Sequence, residues 1–145
     1  MEKIEIGKEL RSLNNQIRRY FENKTNKKTV DAATDTNAWI IAYIADHADQ
    51  DVYQRDLEEA FGVTRSTASK VVNLMVQKGL IERQSVKHDA RLRKLVLTPK
   101  AMEIRTLMEE DHILIEAQVV KDFTEEEILQ LNSYIQRIKQ NVRLD

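Results

Sequence analysis

The residues with the clearest chemical pattern lie on a predicted helix from Arg65 to Lys78. At 100° per residue, one side of this helix is apolar and carries Ala68, Val71 and Met75. The opposite side has no carboxylate and carries Ser66, Ser69, Lys70, Asn73 and Gln77. Such a face can approach phosphate oxygens without repulsion and can offer hydrogen bonds to base edges in a DNA major groove. An ordinary amphipathic surface helix has the same division, so the interpretation needs support from neighbouring segments.

A basic hairpin is predicted directly after this helix. Gly79 ends the helix, Leu80 to Gln84 has the composition of a strand, and Lys94 to Thr98 has that of its return strand. We predict a loop over Ser85 to Arg93, which is too long for a two-residue turn. Its charged or titratable side chains are Lys87, His88, Arg91 and Arg93, with Asp89 as the single acid. A hairpin with a basic tip in this position is typical of a wing that contacts the DNA backbone or minor groove.

The residues before the helix complete a helix-turn-helix pattern. Tyr53 to Gly62 has the apolar spacing of a short helix, and Gly62 can adopt the positive φ that ends one. Thr64 is then the predicted N-cap of the helix that starts at Arg65. Two helices joined by about three residues that include a glycine are typical of a helix-turn-helix.

The distribution of charge favours this segment as a nucleic-acid face. The chain has 145 residues and a formal net charge of −1, which as a total argues neither for nor against a polyanionic partner. By block, the charge is +4 over residues 1–30, −7 over 31–62, +6 over 63–94, +1 over 95–100 and −5 over 101–145. The +6 block coincides with the predicted helix and hairpin. We therefore predict that one face meets DNA and that the acidic remainder limits non-specific binding.

The segments before the helix-turn-helix are predicted to be mostly helical, because only four residues of the whole chain are Gly or Pro. Apolar residues recur every three or four positions from about Glu2 to Asn23, which indicates one apolar helix face. Asn37 to His47 is apolar on more than one side and is predicted to be a mostly buried helix. The polar stretch from Asn23 to Thr36 is predicted to be a connection.

The last third of the chain is predicted to form two helices. Thr98 and Pro99 supply an N-cap and a first-turn proline for a helix that extends to about Lys121. Thr124 and Glu127 form a capping box for the last helix. Its apolar residues step by three and four positions, as in a coiled coil: Ile128, Leu131, Ile135, Ile138 and Val142. This seam and the stripe of the first helix predict a homodimer, with packing inside one chain as the alternative.

The composition argues against several other classes. The chain has no cysteine, which excludes disulfides, thiol redox switches and thiolate metal sites. It has no membrane-spanning apolar run and no apolar signal peptide, so we predict a soluble, cytoplasmic protein. No residue spacing suggests a catalytic site, and neither an enzyme nor a cofactor is predicted. His47 and His112, with Asp46, Glu110 and Asp111 near them in sequence, are too few to predict a metal site.

The stretch from Tyr53 to Ala101, YQRDLEEAFGVTRSTASKVVNLMVQKGLIERQSVKHDARLRKLVLTPKA, resembles the MarR family of winged helix-turn-helix transcriptional regulators. The family features it resembles are V-[ST]-x-S-T-x-S-[KR] at the start of the second helix, L-x-x-x-G-[LY]-[IV]-x-R leading into the wing, and D-x-R before L-x-L-T. In the second of these, Met75 stands in place of the leucine. They are specific in combination and cover about a third of the chain closely. Tyr53 departs from the family, whose members often have Thr or Ser as the cap.

The resemblance implies a mainly α fold with a small β-hairpin wing, in a single domain over residues 1–145. Residues 37–98 would form the winged helix-turn-helix DNA-binding lobe, and residues 1–30 and 99–145 the helical dimerisation lobe. A homodimer would place one such unit on each half of a pseudo-palindromic operator in double-stranded DNA and act as a repressor.

Carried over by position, Arg65, Ser66, Thr67, Ser69 and Lys70 resemble the base- and phosphate-contacting residues of the family's recognition helix. Arg91 matches the wing arginine that enters the minor groove, and Asp89 matches the acid that supports the wing. The predicted DNA-binding set also includes Asn73, Lys87 and Arg93 from the basic block.

The resemblance also implies a small aromatic effector, since many members bind one between their two lobes. Tyr20, Trp39 and Tyr43 are candidates to line such a cleft, although filling of the core explains these aromatic residues more simply. No ligand site is assigned. A helical protein-protein adaptor with a winged-helix fold and a metal-responsive regulator of the same fold are the alternative functions.

Overall fold

The structure is a computed structural model of the chain and describes residues 1–144. Over these residues it contains seven α-helices and one antiparallel two-stranded sheet. The elements in chain order are α1 (Ile6–Lys24), α2 (Lys27–Thr34), α3 (Ala38–Asp46), α4 (Gln54–Phe61), α5 (Arg65–Gln77), β1 (Ile81–Val86), β2 (Asp89–Leu97), α6 (Pro99–Val119) and α7 (Glu125–Asn141). The predicted fold class, mainly α with a small hairpin, is confirmed. No helix within residues 1–144 is both long and apolar enough to cross a membrane.

The chain separates into two compact units, Met1–Asp111 and the segment from His112 onward. The first unit holds one hydrophobic core. Its largest fully buried members come from α3, α4, α5 and the start of the hairpin with the residue before it: Ile40, Ile41, Leu57, Val72, Met75, Leu80 and Ile81. The predicted burial of the helix near residues 37–47 is confirmed, because Ile40, Ile41 and Ile44 of α3 all lie in this core. The core therefore supports the helix-turn-helix and the base of the hairpin together.

The segment between α1 and α3 contains a helix, so the prediction of a connection over Asn23 to Thr36 is wrong. Val30 and Thr34 of α2 are buried, and the Thr34 hydroxyl donates to the Val30 carbonyl at 2.8 Å. Asp111 of α6 caps this helix, because its Oδ1 accepts hydrogen bonds from the backbone N–H and the side-chain amide of Asn26 at 2.9 and 3.0 Å. The capping residue is 85 residues away in the chain, so the sequence near α2 does not predict this contact.

The helix-turn-helix is formed by α4 and α5. The Asp56 carboxylate accepts a 2.8 Å hydrogen bond from the backbone N–H of Tyr53, which stabilises the start of α4 although Tyr53 supplies no side-chain cap. Gly62 ends α4 in the left-handed region at φ 62°, as the sequence predicted. Thr64 then caps α5, since its hydroxyl oxygen accepts a 3.1 Å hydrogen bond from the Thr67 N–H.

Replacing Gly62 with alanine is expected to lower the free energy of unfolding by about 1 kcal/mol, because an L-residue is disfavoured in the left-handed region. An added Cβ at Gly62 meets no atom within 4 Å, so any loss of stability reports the backbone conformation and not a steric clash. The matched control is Gly7→Ala in α1, where the Cβ also has open space. Alanine favours a helix, so this variant should not lower stability. Urea denaturation measures both, and equal stability of the two variants would contradict the assigned turn.

The hairpin is longer and its turn is shorter than the sequence suggests, so the predicted loop from Ser85 to Arg93 is wrong. Both strands continue to a two-residue turn at Lys87 and His88. Ser85 pairs with Arg93 but Val86 pairs with Asp89, so the register shifts and β2 contains extra residues over 90–92. Residues 90–92, which were predicted to lie in a loop, are therefore accommodated as an irregularity in β2. Such an irregularity bends the strand and changes the direction of its side chains.

The two predicted C-terminal helix starts are confirmed. The Ala101 N–H donates to the Thr98 hydroxyl oxygen at 3.3 Å at the start of α6. Thr124 and Glu127 form the predicted reciprocal capping box of α7, with hydrogen bonds of 2.9 and 3.1 Å. No side chain of α1 or α7 is classed as buried. In α7, the seam residues Leu131 and Ile135 remain 37% and 40% exposed, which leaves an apolar surface uncovered within one chain.

Candidate nucleic-acid interface

Helix α5 lies with its apolar side on the core and its polar side outward. Ala68, Val72 and Met75 are buried, while Val71 is half-buried. The predicted division of the helix is confirmed, with Val72 rather than Val71 as its fully buried valine. The core contacts therefore fix the rotation of α5 about its axis and decide which side chains face outward.

The outward side presents the residues that the sequence singled out on this helix. Five of them are exposed and Ser69 is half-buried; the exposed ones are Arg65, Ser66, Thr67, Lys70 and Asn73. The face combines two cations with hydroxyl and amide groups and has no carboxylate. It is therefore chemically suited to phosphates and base edges.

The irregular part of β2 holds Arg91 away from the body of the protein. Its side chain is 95% exposed. The Asp89 Oδ1 accepts a 2.9 Å hydrogen bond from the Arg91 backbone N–H and lies 3.9 Å from the Arg91 Nε. Asp89 thus fixes the backbone at this point while the guanidinium remains accessible.

The other hairpin cations occupy different positions. Lys87 is exposed in the two-residue turn at the hairpin tip. Arg93 lies farther along β2, where its guanidinium donates to the hydroxyl oxygen of its strand partner Ser85. The hairpin therefore distributes its positive charge along its length and does not concentrate it at the tip.

Arg83 was not among the predicted site residues, yet it joins the hairpin to α5. Its Nη2 donates a hydrogen bond to Asn73 Oδ1. Both side chains are exposed and belong to different elements. The available signal was its position two residues after the buried Ile81, which puts Arg83 on the hairpin face that packs against α5.

Arginines from α4, α5 and the hairpin surround one cleft of about 420 Å³. Its charged lining consists of Arg55, Arg65, Arg83, Arg91, Arg93 and the acid Glu58. Arg55 was also absent from the predicted site and lies over the Tyr53 ring at 5.4 Å. A concave surface lined mainly by one sign of charge attracts polyanions. Four of the eight cations of the +6 block, Arg65, Arg83, Arg91 and Arg93, thus line a single cleft.

The sequence profile of the MarR family matches residues 34–92, from the end of α2 to the irregular part of β2. Over these 59 of its 145 residues, the chain is similar to the MarR family. The match includes the helix-turn-helix and most of the hairpin, which are the elements that carry the basic face described above.

Solved structures resemble this chain over nearly its full length. The transcription regulator MarR from Oenococcus oeni PSU-1 is 27% identical, with 94% of this chain and 99% of that chain covered and a TM-score of 0.55. The heme sensor PefR from Streptococcus agalactiae, solved in complex with heme, is 24% identical, with 93% and 92% covered and a TM-score of 0.65. A MarR-family regulator from Listeria monocytogenes, solved with a 26mer DNA, is 24% identical, with 98% and 90% covered and a TM-score of 0.64.

Two of the three aromatic residues considered for a ligand cleft, Trp39 and Tyr43, pack against other aromatic side chains. The ring centroids of Trp39 and Phe61 are 4.3 Å apart, and those of Tyr43 and Phe61 are 5.6 Å apart. Tyr43 also stacks on His47 at 4.0 Å. Trp39 and Tyr43 pack against the core, whereas Tyr20 on α1 is 37% exposed. The contacts favour a packing role for Trp39 and Tyr43.

The acids and histidines considered for a metal site have other partners. Asp46 pairs with Arg105 at 2.9 Å, and Asp111 accepts the hydrogen bonds from Asn26. The His47 Nδ1 is 2.7 Å from the Tyr43 carbonyl oxygen. Within residues 1–144, no three His, Asp or Glu side chains come together in a way that would hold a metal ion.

Proposed function

We propose that this protein is a sequence-specific regulator of transcription that binds duplex DNA. The observation that carries the proposal is the arginine-lined cleft beside the carboxylate-free face of α5. Recognition of base edges needs hydrogen-bonding side chains on a helix that fits the major groove. Binding of the flanking phosphates needs cations on both sides of that helix. The Listeria monocytogenes relative solved with DNA supports the same use of the fold.

In this proposal the predicted residues divide into three roles. Ser66, Thr67, Ser69, Lys70 and Asn73 on α5 contact base edges and adjacent phosphates in the major groove. Arg65, Lys87 and Arg93 contact the phosphate backbone, and Arg91 enters the minor groove. Asp89 keeps the wing backbone in position for Arg91, through its hydrogen bond to the Arg91 N–H.

We infer a homodimer from the apolar side chains that one chain leaves uncovered. On α1, Ile6 and Leu13 are 54% and 51% exposed, and the α7 seam is similarly uncovered. Stripes of this kind at helical spacing associate with a second helix surface. The proposed dimerisation lobe comprises residues 1–30 and 99–145, and the DNA-binding lobe comprises residues 37–98. Two lobes related by twofold symmetry would contact half-sites about one helical turn apart on a pseudo-palindromic operator.

We further propose that the dimer represses transcription by occupying its operator and that a small aromatic ligand releases it. A cleft of about 410 Å³ between α3, β2 and α6 is a candidate effector site. Ile44, Val52 and Leu95 give it an apolar wall. Its polar side holds two ion pairs, Lys94 with Asp51 and Arg105 with Glu109. Its volume falls in the range of sites that hold small ligands. The relative solved with heme supports ligand control on this fold.

Selection of bound duplexes from random DNA, followed by titration of the selected sequence at 50 and 200 mM salt, tests the DNA-binding proposal. If a dimer neutralises about six phosphates or more, its affinity should fall by roughly 1,000-fold over this interval, because bound cations displace counterions. The same titration with a scrambled duplex measures non-specific binding. Affinity that stays flat with salt, or the absence of any selected sequence, would favour the protein-protein adaptor instead.

A further inference from the structure

The hydrogen bond between Arg83 and Asn73 is the feature of the candidate interface that the proposed function does not use. Ile81 and Arg83 are two residues apart on β1 and therefore point to the same face of the hairpin. Ile81 is buried in the core, and Arg83 continues along that face to reach Asn73 on the outer side of α5. The contact links the wing to an outward-facing residue of α5.

The chemistry of the two side chains fixes the orientation of the Asn73 amide. An arginine has five N–H donors and no acceptor, so only the amide oxygen can bond to it. Asn73 Oδ1 accepts from Arg83 Nη2. The two N–H donors of Asn73 Nδ2 then remain available to another partner. Asn73 Oδ1 keeps a second lone pair, but the Arg83 cation beside it disfavours a further donor.

This orientation changes which base Asn73 can read. An asparagine that pairs with adenine uses its oxygen to accept from N6 and its nitrogen to donate to N7. One lone pair of the Asn73 oxygen accepts from Arg83, and the positive charge of Arg83 disfavours the approach of the adenine N6 donor to the other. The remaining donors match an edge with two acceptors, and guanine presents N7 and O6 side by side in the major groove.

We propose that Arg83 determines base specificity through Asn73, by turning the Asn73 amide so that it reads guanine instead of adenine at one position of each half-site. Arg83 acts here as a positioning residue. Arg83 also lines the arginine-lined cleft together with Arg65 and Arg91, where a phosphate would bind. The inference rests on the proposed DNA-binding function.

The test compares base preferences selected from random duplex DNA by the natural chain, Asn73→Ala and Arg83→Met. The position at which Asn73→Ala loses its preference identifies the base pair read by Asn73. At that position the natural chain should favour guanine over adenine by on the order of tenfold. Arg83→Met keeps the side-chain length and removes the donors, so the guanine preference should fall to about twofold or less, or change to adenine.

Arg93→Met is the matched control, because it removes an equal charge from β2 at a residue that bonds to Ser85 and not to α5. It should weaken binding to all sequences similarly and preserve the guanine preference. In an Asn73→Ala background, Arg83→Met should lower the overall affinity without a further change in preference. The side-chain amide resonances of Asn73 provide a measurement without DNA and should shift in Arg83→Met but not in Arg93→Met.

The outcomes separate this inference from the function on which it rests. A guanine preference that survives in Arg83→Met overturns the role of Arg83 and leaves DNA binding intact. Unchanged Asn73 amide resonances in a folded Arg83→Met variant overturn it as well. A natural chain that binds no duplex overturns the proposed function, and the base-reading role of Arg83 fails with it.

Discussion

A chain with Leu131→Asp and Ile135→Asp is expected to be monomeric at concentrations where the proposed dimer of the natural chain forms. Both side chains are more than a third exposed on α7 within one chain, and a dimer would bury them. Burying an unpaired carboxylate costs several kcal/mol, and twofold symmetry makes each substitution count twice. We expect the dimer to weaken by roughly 1,000-fold or more, which is about 4 kcal/mol. Sedimentation equilibrium measures this directly.

The control for this experiment is Leu129→Asp. Leu129 is 71% exposed on α7 and falls outside the steps of three and four that define the seam. Leu129→Asp introduces the same charge at a position outside the proposed interface, so the dimer should persist. A chain that ends before Thr124 should also be monomeric by light scattering. If the double variant remains dimeric while folded, the seam packs within its own chain and a different surface holds the dimer.

Arg91→Ala is expected to reduce the affinity for the selected operator by on the order of 100-fold or more. A lost arginine contact in a groove costs about 1–3 kcal/mol, and a dimer loses two of them. Asp89 holds the Arg91 backbone and leaves its side chain 95% exposed, so the substitution should not disturb the fold. Fluorescence anisotropy at one fixed salt concentration provides the measurement, because affinity varies strongly with salt.

Other substitutions separate this effect from a general loss of charge. Lys8→Ala removes an exposed cation of α1, outside the proposed interface, and should leave DNA affinity unchanged. Ser69→Ala or Lys70→Ala should change which sequence is preferred, because both residues lie on the base-facing side of α5. If Arg91→Ala, Ser69→Ala and Lys70→Ala all leave binding untouched, the winged helix does not contact DNA and the adaptor function gains support.

Local signals made the helix-turn-helix predictable from the sequence. A cap and a left-handed glycine act within a few residues, so Thr64 and Gly62 are readable from their neighbours alone. The same holds for the capping box of α7 at Thr124 and Glu127. The charge blocks also predicted which surface would be basic, because the cations of residues 63–94 lie on elements that are consecutive in the chain.

Features that depend on distant contacts were not predictable in this way. Helix α2 has few large apolar residues, so its periodic signal is weak and Asn23 to Thr36 was interpreted as a connection. The sequence predicts a long loop in place of the two-residue turn, because the exposed ends of the two strands lack the regular alternation of apolar and polar residues that indicates a strand. Arg83 was missed because its role depends on a partner, Asn73, in another element.

The cap that Asp111 provides for α2 has a consequence for the order of folding. The carboxylate that bonds to Asn26 is 85 residues away, and α2 has only eight residues, which is too short to be stable in isolation. Ordering α2 therefore requires closure of a long loop, a slow step compared with forming a local helix. We expect the backbone amides of α2 to gain hydrogen-exchange protection only when α6 has docked, so α2 reports completion of the first compact unit and not its nucleation.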